Sequence, residues 1–212
     1  MQENINHLAP VATASVEERS QFIWKVYAHV VGGILALVAI EAYILTSGMV
    51  NGLISLMYGS PILTFFAFVG STMAAQSVAR SAQSTTVQYA AFAAYVGIFA
   101  VFIAPAIYYA EMKQPGVVAT AMITRKDFSF LRGIVTWGFM LALVAIAASM
   151  FLGFQWGQWF SVAMIGLLGA AILYQTGEIM RTYPTNRYVS AALELFGSIA
   201  LLFLWILRFM LN

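Results

Sequence analysis

Long stretches without a charged side chain set the pattern of this chain: Ala42 to Ala79, Ser81 to Ala110, Gly133 to Gly177 and, apart from Glu194, Tyr188 to Leu207. Each exceeds or approaches the roughly 20 residues that a helix needs to cross a bilayer. Apolar and polar residues do not alternate as they would in a barrel strand, and backbone in lipid must be satisfied within its own segment, so the stretches read as helices. The pattern predicts them at Phe22 to Thr46, Pro61 to about Arg80, Thr86 to Tyr109, Phe128 to Phe151, Phe160 to Gln175 and Tyr188 to Leu207. Pro105 is expected to kink the third or mark its end.

The segments between are polar or broken. Residues 1–20 read as a loosely ordered polar tail that ends in a short interfacial helix around Val16 to Ser20, and residues 21–212 as a single transmembrane helical domain. The tail has no basic head leading into a short apolar run with a small-residue cleavage site, so no cleaved signal peptide is expected. Trp24, Lys25 and Tyr27, and later Trp156 and Trp159, suit the membrane interface. Ser47 to Ser60, rich in Gly, Ser and Asn, reads as a loop that Pro61 closes. Glu111 to Thr124 holds the apolar piece VVATAMI, too short to span.

Composition agrees with a membrane protein: 62% of residues are hydrophobic, 8% are charged and mean hydropathy is +0.86, more apolar surface than a soluble domain of 212 residues can bury. A net charge of +2 gives no reason to expect a nucleic-acid partner. The absence of cysteine excludes disulfides and thiolate metal sites. No HExxH, GxSxG or phosphate-binding glycine loop occurs, and His7 and His29 stand 22 residues apart, so neither an enzyme nor a cofactor is expected.

The sparse charges test the topology, because Lys and Arg in short loops favour the cytoplasm. With seven crossings and a cytoplasmic amino terminus, Arg19, Lys25, Arg80, Arg125, Lys126, Arg132, Arg181 and Arg187 lie inside, against Lys113 and Arg208 outside. With six crossings the sides swap after the third helix and the bias is lost. A crossing is therefore expected between Lys113 and Arg125, where 11 residues remain. As helix these cover only about 16 Å, half the hydrocarbon thickness. The fourth helix is thus shortened or missing.

Ionisable groups at membrane depth are the candidates for chemistry, because desolvating a charge is tolerated mainly beside a cavity or a partner. Glu41 lies near the outer end of the first helix and either snorkels to water or serves a site. Glu194 lies two turns into the last helix, with Arg187 seven residues earlier on roughly the same face; a structural ion pair and a working site both fit.

TRKDFSFLRG, ILYQTGEIM and AALELFGSIALLFLWILR together resemble the Bax inhibitor-1 (transmembrane Bax inhibitor motif) family, particularly its bacterial members, over nearly the whole chain. The resemblance implies a multi-pass, all-α membrane bundle of seven helices with the last one central. It implies a pH-sensitive calcium leak, a role in stress or membrane quality control, calcium or protons as partners besides the lipid bilayer, and for some bacterial members a membrane-bound ATP-dependent protease. An inner-membrane location follows from the same resemblance.

The chain departs from the family where the chemistry is expected. Members commonly carry Asp in an ILYDT motif and a second Asp on the last helix, hydrogen-bonded as a pH-responsive pair; here those positions hold Gln175 and Ser198, which cannot ionise. Glu178 and Glu194 lie three and four residues away and are expected to form a shifted acidic site with Arg80 as counter-charge, the alternative being a solvated Glu178 beside Arg181. Whether a metal binds is left open. A small-solute permease and an inactive structural variant of the family are the competing functional readings.

Overall fold

The computed structural model describes residues 10–118, 141–142, 144–146, 148–149 and 157–211. Its described elements are helical: α1 (Val16–Thr46), α2 (Met49–Gly59), α3 (Pro61–Ser81), α4 (Thr85–Lys113), α5 (Gln158–Thr182) and α6 (Tyr188–Leu211), preceded by one turn of 3-10 helix at Val11–Thr13. Five of them, all but α2, are long and apolar enough to cross a membrane. The chain is a multi-pass helical membrane bundle.

The start of α1 corrects two expectations. Ser15 and Glu18 form a capping box, the Ser15 hydroxyl accepting from the Glu18 amide at 3.2 Å and the Glu18 carboxylate accepting from the Ser15 amide at 3.0 Å. This cap places residues 16–20 in the first turn of the first long helix, so no separate interfacial helix precedes it. The described end of the tail is also anchored. Val11 is fully buried, and its amide donates to the Tyr183 carbonyl at 2.9 Å in the turn between α5 and α6.

The expected loop at 47–60 is instead largely helix. Gly48, at φ +77, reverses the chain in a conformation that L side chains rarely adopt, and α2 follows at once. Gly52 and Ser55 weaken its propensity, but Val50 is buried against the bundle and α2 packs on α1, α3 and α4. Tertiary packing overrides propensity here. Pro61 opens α3 at a position where the missing amide costs nothing. Pro105 lies inside α4, which continues to Lys113.

The last helix is the hub. α6 packs against α1, α3, α4 and α5, and Ala191, Ala192, Leu193 and Phe196 on it are fully buried. A helix apolar nearly all round is what a central position demands. Phe196 meets the rings of Phe92 and Phe99 edge-on, each at 5.8 Å. Gly33 on α1 lets this cluster close, since a Cβ there would sit 2.7 Å from Phe92 Cζ.

Most of the predicted helix at 128–151 and most of VVATAMI lie outside the described residues, as do Arg125, Lys126, Arg132 and Trp156; the positions described within 141–149 are helical. The described chain on either side of them fixes one fact. Lys113 Nζ donates to the Leu211 carbonyl, and Phe160 meets the Trp205 ring edge-on at 5.3 Å, so the chain leaves and re-enters the bundle at the carboxyl-terminal end of α6.

Candidate functional site

At the opposite end, α6 begins beside the carboxyl terminus of α3, and the two exchange polar contacts. The final carbonyls of a helix have no partner within it. Here the Ser190 hydroxyl donates to the Ala79 carbonyl at 2.7 Å and Arg187 Nη1 donates to the Arg80 carbonyl. Each contact brings α6 against α3 and complements the negative end of the α3 dipole.

One turn further along α6, Arg80 Nε donates to Glu194 Oε1 at 2.6 Å. The carboxylate side chain is 11% exposed and the guanidinium side chain 60%, so the acid is buried while the base reaches water. The Tyr183 hydroxyl donates to the same Glu194 oxygen. Burial and the adjacent Glu194 charge push the Tyr183 phenol above its ordinary range, which keeps it a donor. Three elements thus converge on one carboxylate: α3 through Arg80, the α5–α6 turn through Tyr183, and α6 itself.

A second polar layer lies a turn deeper. The Ser198 hydroxyl donates to Gln175 Oε1 at 2.8 Å, joining α6 to α5. On the other side Gln76 Nε2 donates to the Tyr95 hydroxyl at 2.8 Å, joining α3 to α4. That hydroxyl lies on Gly197: a Cβ there would overlap it and come within 2.9 Å of the Tyr95 ring carbons, so the layer requires glycine. Beyond Ser198 the run IALLFLWIL carries no polar side chain. The polar column therefore stops midway along α6.

The geometry sorts the predicted residues. Arg80 and Glu194 are brought together, and so are Gln175 and Ser198. Glu178 is not joined to them. Its carboxylate has no hydrogen bond or ion pair with Glu194 or Arg80, and its backbone carbonyl accepts from Thr182 at 2.8 Å. Three residues along a helix is about 300°, so Glu178 points some 60° away from Gln175. The second partner of Glu194 is Tyr183, which the residue pattern does not single out, since a phenol in a turn carries no charge to mark it. Arg187 pairs with the Arg80 backbone and not with Glu194.

Glu41 lies elsewhere. It is 5% exposed on α1, and neither carboxylate oxygen has a hydrogen-bond partner among the described residues. It does not snorkel. The described residues hold no cluster of His, Cys, Asp or Glu that could bind a metal ion.

Among curated proteins, the chain is 37% identical over 94 residues to the uncharacterized protein PA2604 of Pseudomonas aeruginosa. The match covers 44% of this chain and 42% of that protein, so it spans less than half of the relative's length. No solved structure matches. The profile of the family described as inhibitor of apoptosis-promoting Bax1 matches residues 19–212. With nearly its whole length matched, and with a central last helix tied at its polar end to α3, this chain belongs to the Bax1-I family of multi-pass membrane proteins.

Proposed function

We propose that this protein is a non-enzymatic cation leak, conducting calcium or protons, whose closed state is held by the Arg80–Glu194 contact. The observation that carries the reading is a buried carboxylate joined to a guanidinium from another helix at the head of a polar column that ends halfway through the bundle. An ion pair between α3 and α6 fixes their approach. Protonation of Glu194 removes its charge, leaves Arg80 free to move into water and loosens the two helix ends.

The positions that hold an acidic pair in family members are neutral here and bonded to each other, so a proton shared between two carboxylates is not the sensor. A single carboxylate carries the response. Arg80, Tyr183 and the nearby Tyr95 are the charged or titratable groups around it.

The orientation follows from charge. Among the described residues, Arg19, Lys25, Arg80, Arg181 and Arg187 belong to the end where α6 begins, against Lys113 and Arg208 at the other. We assign the first end, with the amino terminus, to the cytoplasm of a cell carrying the protein in its inner membrane.

Calcium flux into proteoliposomes at several pH values tests the reading. Wild type should conduct more as the pH falls, and Glu194→Gln should conduct at the acidic level throughout. Flux in Glu194→Gln with the wild-type pH profile would remove Glu194 from the mechanism. No flux from any variant would favour an inactive member of the family, consistent with its neutral Gln175–Ser198 pair.

A further inference from the structure

Alongside the apolar half of α6, between α1, α4 and α6, lies a cavity of about 480 Å³. Its walls are almost entirely hydrocarbon: Leu37 and Leu45 from α1, Ile107 from α4, and Ile199, Phe203 and Ile206 from α6. Among the described residues, two polar side chains line it, Glu41 and Glu111. Glu111 is engaged with the chain beyond α4, its carboxylate accepting from the Gly116 amide at 2.9 Å and the Val118 amide at 3.3 Å. Glu41 is engaged with nothing described: it is buried, both oxygens lack a donor, and it opens onto the cavity. Among the described residues, no Lys, Arg or His lines the space.

We propose that this cavity binds a single-chain amphiphilic amine or quaternary ammonium, its charged head against Glu41 and its alkyl chain along α6. The chemistry follows from the site. A buried carboxyl without a partner is costly, and a cation is the group that repays it most, by a charge-assisted contact in a dry surrounding. The remaining walls offer contact only to hydrocarbon. Glu41 lies five residues before the end of α1, and Glu111 two before the end of α4 at the same end of the bundle, so the acidic part of the cavity is nearest the membrane interface. A ligand lying along the bilayer normal would place its head there and its tail towards the midplane, where Ile34 and Phe196 close the cavity. Glu111 adds negative charge beside the head without giving up its own bonds. The site is separate from the Arg80–Glu194 contact and does not depend on the leak.

The test uses the whole chain in phosphatidylcholine nanodiscs, photolabelled with a dodecylamine carrying a diazirine on its alkyl chain and mapped by mass spectrometry. Saturable labelling of α1 and α6 residues around the cavity is expected, displaced by dodecyltrimethylammonium but not by dodecanol. Glu41→Gln, close in shape but neutral, should lower affinity by about tenfold or more, the size of a charge-assisted contact. Ala42→Phe, which keeps the carboxyl and narrows the space beside it, should weaken labelling as well. Glu194→Gln should leave it unchanged. Equal labelling by an uncharged dodecyl diazirine, or labelling unaffected by Glu41→Gln, would overturn the proposal and make the cavity a seat for a lipid tail only; absence of saturable labelling would overturn it too.

Discussion

The two halves of α6 treat polar groups in opposite ways. In the amino-terminal half, Ser190, Glu194 and Ser198, with Arg187 just before it, each reach a partner on another element, and α6 is stitched to α3, α5 and the α5–α6 turn. Beside the carboxyl-terminal half, the buried acid Glu41 has no donor among the described residues and faces an apolar cavity. A buried acid is given partners by the fold at one end and left without any among the described residues at the other. An acid of the first kind holds helices together, whereas one of the second kind weakens the bundle until something binds it.

The sharpest way to break the compensated half is to crowd it. Gly197→Val would put a branched side chain where the Tyr95 ring rests, and the ring cannot retreat without giving up Gln76. We expect a loss of about 3 kcal/mol, at the upper end for overpacking, read from unfolding in a nonionic detergent. Stability within about 0.5 kcal/mol of wild type would show that the second polar layer is loosely packed.

The other half should respond with the opposite sign. Glu41→Met keeps the length of the side chain and removes its unsatisfied oxygens, so the protein should gain about 2 kcal/mol. A destabilised Glu41→Met would mean that the carboxylate has a partner and that the contrast between the halves is false. Arg80→Ala then probes the compensated acid. It leaves Glu194 with Tyr183 alone, but because the guanidinium is 60% exposed the loss should be only about 1.5 kcal/mol.

The same contrast decides what was legible in the sequence. Membrane-length helices announce themselves because a polar group in lipid is so costly that uncharged runs mark them, and Pro61 marks a start by its missing amide. α2 was illegible because its Gly, Ser and Asn carry the signal of a loop, while the burial of Val50 is a fact of three-dimensional packing. Arg80 and Glu194 were legible as rare charges at one end of the bundle. Glu178 misled because spacing gives the face of a Cβ but not the remaining 60° of rotation. Tyr183 was invisible because a phenol in a turn carries no charge to count. The count of basic residues called for an extra crossing between Lys113 and Arg125. Most of that stretch, from residue 119 on, lies outside the described residues.

The smallest effect is also the most specific. Tyr183→Phe removes one hydroxyl from Glu194 and leaves the Arg80 contact, so at neutral pH the cost should be about 1 kcal/mol, that of a single hydrogen bond to a charged group that keeps another donor. The pH dependence carries the information. The phenol titrates above its ordinary value of 10.0 in the folded protein because burial and the Glu194 charge both oppose its ionisation. The unfolded chain therefore loses this proton first as the pH rises, and the stability that wild type gains from a neutral Tyr183 is complete below about pH 10 and declines above it. Phenylalanine has no proton to lose. The deficit of Tyr183→Phe relative to wild type should hold constant through neutral pH and shrink above pH 10. The other tyrosines are common to both proteins and cancel in the difference. A deficit that stays the same at alkaline pH would mean that Tyr183 meets water and not a buried carboxylate, and the compensated half of α6 would then rest on Arg80 alone.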